Sequence, residues 1–90
     1  MVVKFFAHIR KLAGNTKERT DVKAKSLYEL LDKLSRNYGN EFQSKVFPNN
    51  TISNEVIILV NGTHISHLNG LNTKLNEGDV VCIFPMIFGG

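Results

Sequence analysis

Glu77-Gly78-Asp79-Val80-Val81-Cys82-Ile83-Phe84-Pro85, continued by Met86-Ile87-Phe88-Gly89-Gly90, closes a sequence of 90 residues. Glu77-Gly78-Asp79 has turn chemistry, and the run from Val80 to Pro85 has the length and composition of a strand. Strand alternation places Val80, Cys82 and Phe84 on one face, with Val81 and Ile83 on the other. Pro85 has no ladder donor, so pairing is expected to stop there. The next five residues, if extended, would reach about 17 Å. They end on two residues without side chains, which can pass a narrow channel and adopt backbone angles closed to other residues. No side chain shields the last carbonyl from a nucleophile. The residues alone leave two readings open: a carboxyl group offered for activation, or a frayed end without a role. The expected division is a folded domain over residues 1–85 and a flexible tail over residues 86–90.

Upstream, Val56-Ile57-Ile58-Leu59-Val60 is an unbroken apolar run, which predicts a central strand covered on both faces. Asn61-Gly62 is a hairpin-turn signal returning the chain through Thr63-His64-Ile65. A connecting segment then runs to Leu75. Ser26-Leu27-Tyr28-Glu29 has the form of a capping box. Leu27, Leu30, Leu31, Leu34 and Tyr38 follow it as a one-sided helical stripe whose expected role is core packing. Gly39 is placed to end that helix in a left-handed conformation. Residues 41–47 predict a short second helix, and Pro48-Asn49-Asn50 a loop. Residues 2–9 read as a strand, with Val3, Phe5, Ala7 and Ile9 toward the core and Lys4, Phe6 and His8 opposite. Gly14-Asn15 marks a turn, and residues 18–23 a weaker, polar strand at a sheet edge. One main helix laid across a mixed sheet is an α+β arrangement, the β-grasp.

A chain this long buries roughly 60–65% of its unfolded surface, enough for one modest core. Hydrophobic residues make up 42%, and no stretch approaches the length of a membrane span. The first residues lack the pattern of an export signal. The single cysteine, Cys82, leaves no internal disulfide and fits a reducing compartment, so the cytoplasm is the expected location. The net charge is +3, and nine of the eleven basic residues lie at or before Arg36, against four of the eight acidic ones. The cations are scattered along the chain, which favours a solvated surface over an acidic partner and makes nucleic acid the weakest candidate.

The chain resembles the small sulfur-carrier subunit of molybdopterin synthase, a ubiquitin-like β-grasp family that stands beside the thiamine-pathway sulfur carrier and the archaeal ubiquitin-like modifiers. The similarity runs through Lys4-Phe5-Phe6-Ala7, Arg10-Lys11-Leu12-Ala13-Gly14, Val60-Asn61-Gly62, His67-Leu68-Asn69-Gly70-Leu71 and the closing stretch from Leu75 to Gly90. It implies that an E1-like adenylating enzyme, using ATP and Mg²⁺, activates Gly90, with Gly89 beside it. A thiocarboxylate formed there would donate sulfur to a pterin precursor held by the large synthase subunit. The same activated carbonyl is competent to form isopeptide bonds with lysines of target proteins, which is the alternative function. The chain would be non-catalytic alone and would bind no cofactor itself.

The resemblance further implies docking through the positions of Phe6, His64 and Phe84, although His64 stands where the family usually has an apolar residue. Met86, Ile87 and Phe88 depart from the family's smaller lead-in to the glycines and are expected to meet the partner's channel. Core packing is the competing role for Phe6 and Phe84. His64 and His67 are too few for a closed zinc site, so no metal is expected. Cys82, between apolar neighbours, reads as a small buried hydrophobe rather than a nucleophile. A glycine-rich phosphate loop is absent from the sequence, so nucleotide binding is expected of the partner alone.

Overall fold

The computed structural model describes residues 1–86; the tail residues Ile87, Phe88, Gly89 and Gly90 lie outside the described residues. Ser26 is extended, and its Oγ accepts from the Glu29 N–H at 3.2 Å. The Glu29 carboxylate in turn accepts from the Lys25 N–H at 3.2 Å, one residue ahead of the cap. This reciprocal cap opens helix α2 (Leu27–Tyr38), which buries Leu27, Leu30, Leu31 and Leu34. Gly39 ends it with φ 95° and ψ −166°, and its N–H donates to the Ser35 carbonyl at 2.8 Å. That combination is open essentially to glycine alone and is not the expected left-handed helical one. It turns the chain directly into helix α3 (Asn40–Val46) without a loop.

The sheet has five strands among the described residues, in the order β2-β1-β5-β3-β4. These are β1 (Val2–Phe5), β2 (Glu18–Arg19), β3 (Val56–Val60), β4 (Thr63–His64) and β5 (Val80–Pro85). β5 lies at the centre, parallel to β1 and antiparallel to β3, so the sheet is mixed. Asn61 and Gly62, with φ 52° and 83°, form the turn between β3 and β4 as the Asn-Gly pair predicts. Short 3₁₀ turns follow at Pro48–Asn50, Ile65–His67 and Gly70–Asn72.

Register places Val3 beside Val81, and Phe5 beside Ile83, which also pairs with Ile58. These side chains form the inner face, and they pack with the leucines of α2 in one core. Phe5 meets the rings of Tyr38 and Phe42 edge-on at 5.8 and 6.2 Å, joining sheet and helices.

Three expectations are corrected. The first strand stops at Phe5 rather than running to residue 9, and the chain turns into helix α1 (His8–Leu12). Ile9 is buried from that helix, while Ala7 is exposed rather than core-directed. The edge strand is two residues long, because the chain from Ser26 onward is taken up by the α2 cap and from Thr20 to Lys25 forms no ladder. β3 is not covered on both faces: Val56, Ile58 and Val60 are buried, but Ile57 and Leu59 are only half-buried. The helices pack against a single side of the sheet, so the opposite side of an apolar strand remains open to solvent.

Candidate functional site

The open side of the sheet carries the site. Alternation along β5 turns Val80, Cys82 and Phe84 outward, as the sequence predicts, while Val81 and Ile83 are fully buried. Register then brings Ile57 beside Phe84, Leu59 beside Cys82, Lys4 beside Cys82 from the other flank, and His64 beside Leu59. One row across the sheet therefore reads Glu18, Lys4, Cys82, Leu59, His64.

Phe6 joins this face from just beyond β1. Its N–H donates to the Ile83 carbonyl at 3.1 Å, and its ring stacks on Phe84 with centroids 4.2 Å apart and planes 11° from parallel. Both rings are half-buried. Offset stacking of this kind contributes about 0.5–1.5 kcal/mol beyond the area it covers. The pair thus forms a preset aromatic platform, flanked by Ile57 and Leu59. Together they make a half-buried apolar cluster on the side of the sheet opposite the helices.

Ala7 fixes the position of Phe6. It has φ 52° and ψ −135°, and the Ile9 N–H donates to the Phe6 carbonyl at 3.1 Å. These values lie near the first central position of a type II′ turn, which favours glycine. The turn carries the chain away from the sheet just after Phe6. The Arg10 guanidinium secures it by donating to the Phe5 carbonyl at 3.3 Å.

At the far edge, His64 Nδ1 accepts the Ser66 N–H at 3.0 Å and lies 2.8 Å from the Ser66 hydroxyl. His67 is exposed in the following 3₁₀ turn. Among the described residues, no group of three or more His, Cys, Asp or Glu is disposed to hold a metal ion. Cys82 is half-buried on the open face rather than within the core. Burial raises its thiol above the ordinary range, and the nearby Lys4 ammonium only partly offsets this. The thiolate, which is the nucleophilic form, is therefore disfavoured at neutral pH.

Pairing of β5 runs past the point expected. Pro85 still faces Val56, and the Met86 N–H donates to the Glu55 carbonyl at 2.7 Å. Amide direction alternates along a strand, so the donor missing from Pro85 would point toward β1, which has already left the ladder. The proline costs no hydrogen bond there. Met86 is exposed at the end of the described chain, and the remaining site residues Ile87, Phe88, Gly89 and Gly90 lie outside the described residues.

Alternation turned Phe6 and Phe84 away from the core and the resemblance added His64; the structure brings Phe6 and Phe84 into contact. Sequence reasoning missed Ile57 and Leu59, and it gave no part in the site to Lys4 and Cys82, which alternation had put on the same faces as Phe6 and Phe84. The available signal was the single main helix: with one layer of helices, alternate residues of β3 have nothing to cover them.

This fold, with one long helix across a mixed five-stranded sheet and an open aromatic face on its central strand, defines a ubiquitin-like β-grasp domain. The chain belongs to the ThiS family, whose profile matches residues 3–90. It is similar to small archaeal modifier protein 3 of Haloferax volcanii, with 30% identity over 98% of this chain and 96% of that one. The solution structure of small archaeal modifier protein 1 from Methanosarcina acetivorans superposes with a TM-score of 0.82 at 29% identity, covering 99% of this chain and 94% of that one. A chain of the Amycolatopsis orientalis BexX/CysO complex shares the fold, with a TM-score of 0.84 at 19% identity over 99% of this chain and 98% of that one. No helix among the described residues is long and apolar enough to cross a membrane.

Proposed function

We propose that this chain is a sulfur carrier whose Gly90 carboxylate is adenylated by an E1-like enzyme and converted to a thiocarboxylate. The observation that carries this reading is the Phe6–Phe84 platform, set on the strand that leads into Gly89-Gly90. The sheet face holds the body against a partner, and the tail delivers the reacting atoms to the partner's site.

A terminal carboxylate, with an ordinary pKa of about 3.3–3.7, is ionised at neutral pH and a poor acyl donor. Attack of one carboxylate oxygen on the α-phosphate of ATP forms the acyl-adenylate and releases pyrophosphate. ATP and Mg²⁺ belong to the activating enzyme in this scheme. Hydrosulfide then displaces AMP at the carbonyl carbon and loses its proton, and the resulting thiocarboxylate carries a softer, more nucleophilic atom. Met86, Ile87 and Phe88 would contact the partner channel ahead of the glycines. The recipient we favour is a pterin precursor on the large subunit of molybdopterin synthase, which would gain its dithiolene sulfurs. A reducing cytoplasm suits this chemistry and the lone cysteine.

The similarity to the Haloferax modifier over nearly the whole chain favours a second reading, in which activated Gly90 forms isopeptide bonds with lysines of target proteins. Intact mass spectrometry of the protein from its native cells separates the two. Exchange of one terminal oxygen for sulfur supports the carrier, and Gly-Gly remnants on lysines of other proteins, left by chymotryptic cleavage after Phe88, support the modifier. Removing Gly90 should abolish both products and leave the far-UV spectrum unchanged. Either product surviving that deletion would overturn the assignment of the reacting carboxyl.

A further inference from the structure

The polar groups on the open face are more specific than its apolar centre. His64 stands beside Leu59 at the edge of the platform. Its Nδ1 accepts the backbone N–H of Ser66 at 3.0 Å, and an amide N–H can only donate. The Ser66 hydroxyl, 2.8 Å away, closes the same nitrogen from a second direction. Nδ1 is therefore the acceptor of the neutral ring, and the proton resides on Nε2. Among the described residues Nε2 has no partner, and the ring's polar contacts are at the exposed surface. Tautomer and ring orientation are both set before any partner arrives. At the other end of the same row, beyond Cys82, stands the Lys4 ammonium, with the Glu18 carboxylate opposite it on the edge strand. Glu18 offsets Lys4 at that end, whereas the Nε2–H donor lies on the opposite flank of the apolar centre, four strands away, where an acidic acceptor can approach without facing that carboxylate.

We propose that His64 is a specificity-determining residue of the docking face, its Nε2–H donating to a side-chain carboxylate on the protein that covers Phe6, Phe84, Ile57 and Leu59. This rests on the docking role assigned to that face and adds a direction and a partner chemistry to it. The apolar centre excludes water without fixing rotation about its normal. A directed bond about three strand spacings, roughly 14 Å, from Lys4 fixes the angle at which the partner sits. Orientation matters because the tail must enter one channel.

The test uses the full-length chain and the purified adenylating enzyme of the same organism. Nitrogen-15 correlation spectra of the free protein should show His64 protonated on Nε2. Protonation on Nδ1 instead would overturn the proposal. His64→Leu should weaken binding about tenfold by leaving the partner's acceptor unpaired, while His64→Gln, which retains a donor, restores most of it. His64→Lys should bind more tightly than His64→Gln, because a charged donor strengthens a bond to a carboxylate. Equal binding by wild type and His64→Leu overturns the directed bond, and equal binding by the Lys and Gln variants overturns the carboxylate. Phe84→Asp serves as the control on the face itself. Its failure to reduce binding would sink the docking role, whereas its success with an indifferent His64 would sink this inference alone.

Discussion

Asn61 Nδ2 donates to the Asp79 carboxylate at 2.9 Å, while Asn61 Oδ1 accepts the Val80 N–H, also at 2.9 Å. One side chain thus ties the β3–β4 turn to the turn that launches β5. The second oxygen of Asp79 accepts the Asn76 N–H at 2.7 Å. The Asn61 amide, then the Asn76 N–H, hold the Asp79 carboxyl below its ordinary range. The anchor secures the start of the strand whose other end presents Phe84.

Asp79 should therefore make the fold acid-sensitive in a defined window. Its folded pKa is depressed, so its contribution is complete above the ordinary aspartate value of about 3.9 and is lost as pH falls through the folded value. Asp79→Ala should lower stability by about 1 kcal/mol at pH 7, a modest figure because the group is partly solvated. The difference from wild type should shrink as pH falls from the ordinary aspartate range through that depressed folded value. Urea titrations at several pH values check this. In a double-mutant cycle with Asn61→Ala, the coupling should exceed about 0.5 kcal/mol.

Phe84→Asp should separate docking from folding. Phe84 is half-buried and outside the core, so its loss costs the stacked pair, about 1 kcal/mol, in addition to the area the ring covers, and leaves the circular dichroism spectrum unchanged. A charge placed at the centre of an apolar interface should cost at least 2 kcal/mol of binding, or about thirtyfold. Calorimetric titration against the adenylating enzyme measures it. Retained affinity would show that the partner docks elsewhere.

Local signals were legible and tertiary ones were not. The α2 cap and stripe, the Asn61-Gly62 turn and the alternation of β5 all depend on near neighbours, and each was found where the sequence put it. The end of β1 was misread because Ala7 carries no turn signature. Its conformation is held by contacts from afar, the Phe6 N–H on Ile83 among them. The platform was half-legible: alternation revealed Phe6 and Phe84, but an unbroken apolar run such as β3 does not say whether one face or two are covered. Ile57 and Leu59 became visible as site residues only once the helices were seen to occupy one side.

Ser35 offers a gain in stability without a change in the site. It lies on the buried side of α2, 7% exposed, and its Oγ has no hydrogen-bond partner among the described residues. A buried hydroxyl without a partner has lost its hydration and gained nothing in return. Ser35→Ala should therefore stabilise the protein by about 1 kcal/mol, helped by the higher helix propensity of alanine. An upward shift of the urea midpoint at constant slope is the expected reading. A downward shift would mean the hydroxyl is solvated by a buried water.

Ala7 gives the sharpest link between backbone strain and function. A residue with a Cβ at φ 52° and ψ −135° stores strain on the order of 1–2 kcal/mol. Ala7→Gly relieves it but adds about 0.4–1 kcal/mol of unfolded-state entropy to be lost on folding, so the net should be a stabilisation of about 0.5–1 kcal/mol. Ala7→Val, branched at Cβ, should instead destabilise by more than 1 kcal/mol. The two variants should part company in binding as well. The Phe6 N–H remains bonded to Ile83 in the glycine variant, so Phe6 keeps its place on Phe84 and affinity for the adenylating enzyme should stay within about twofold of wild type. Valine must push the turn away from this geometry, and because Phe6 is its nearest neighbour, binding should fall along with stability. A valine variant that loses stability but binds normally would show that the strained turn shapes the fold without setting the platform.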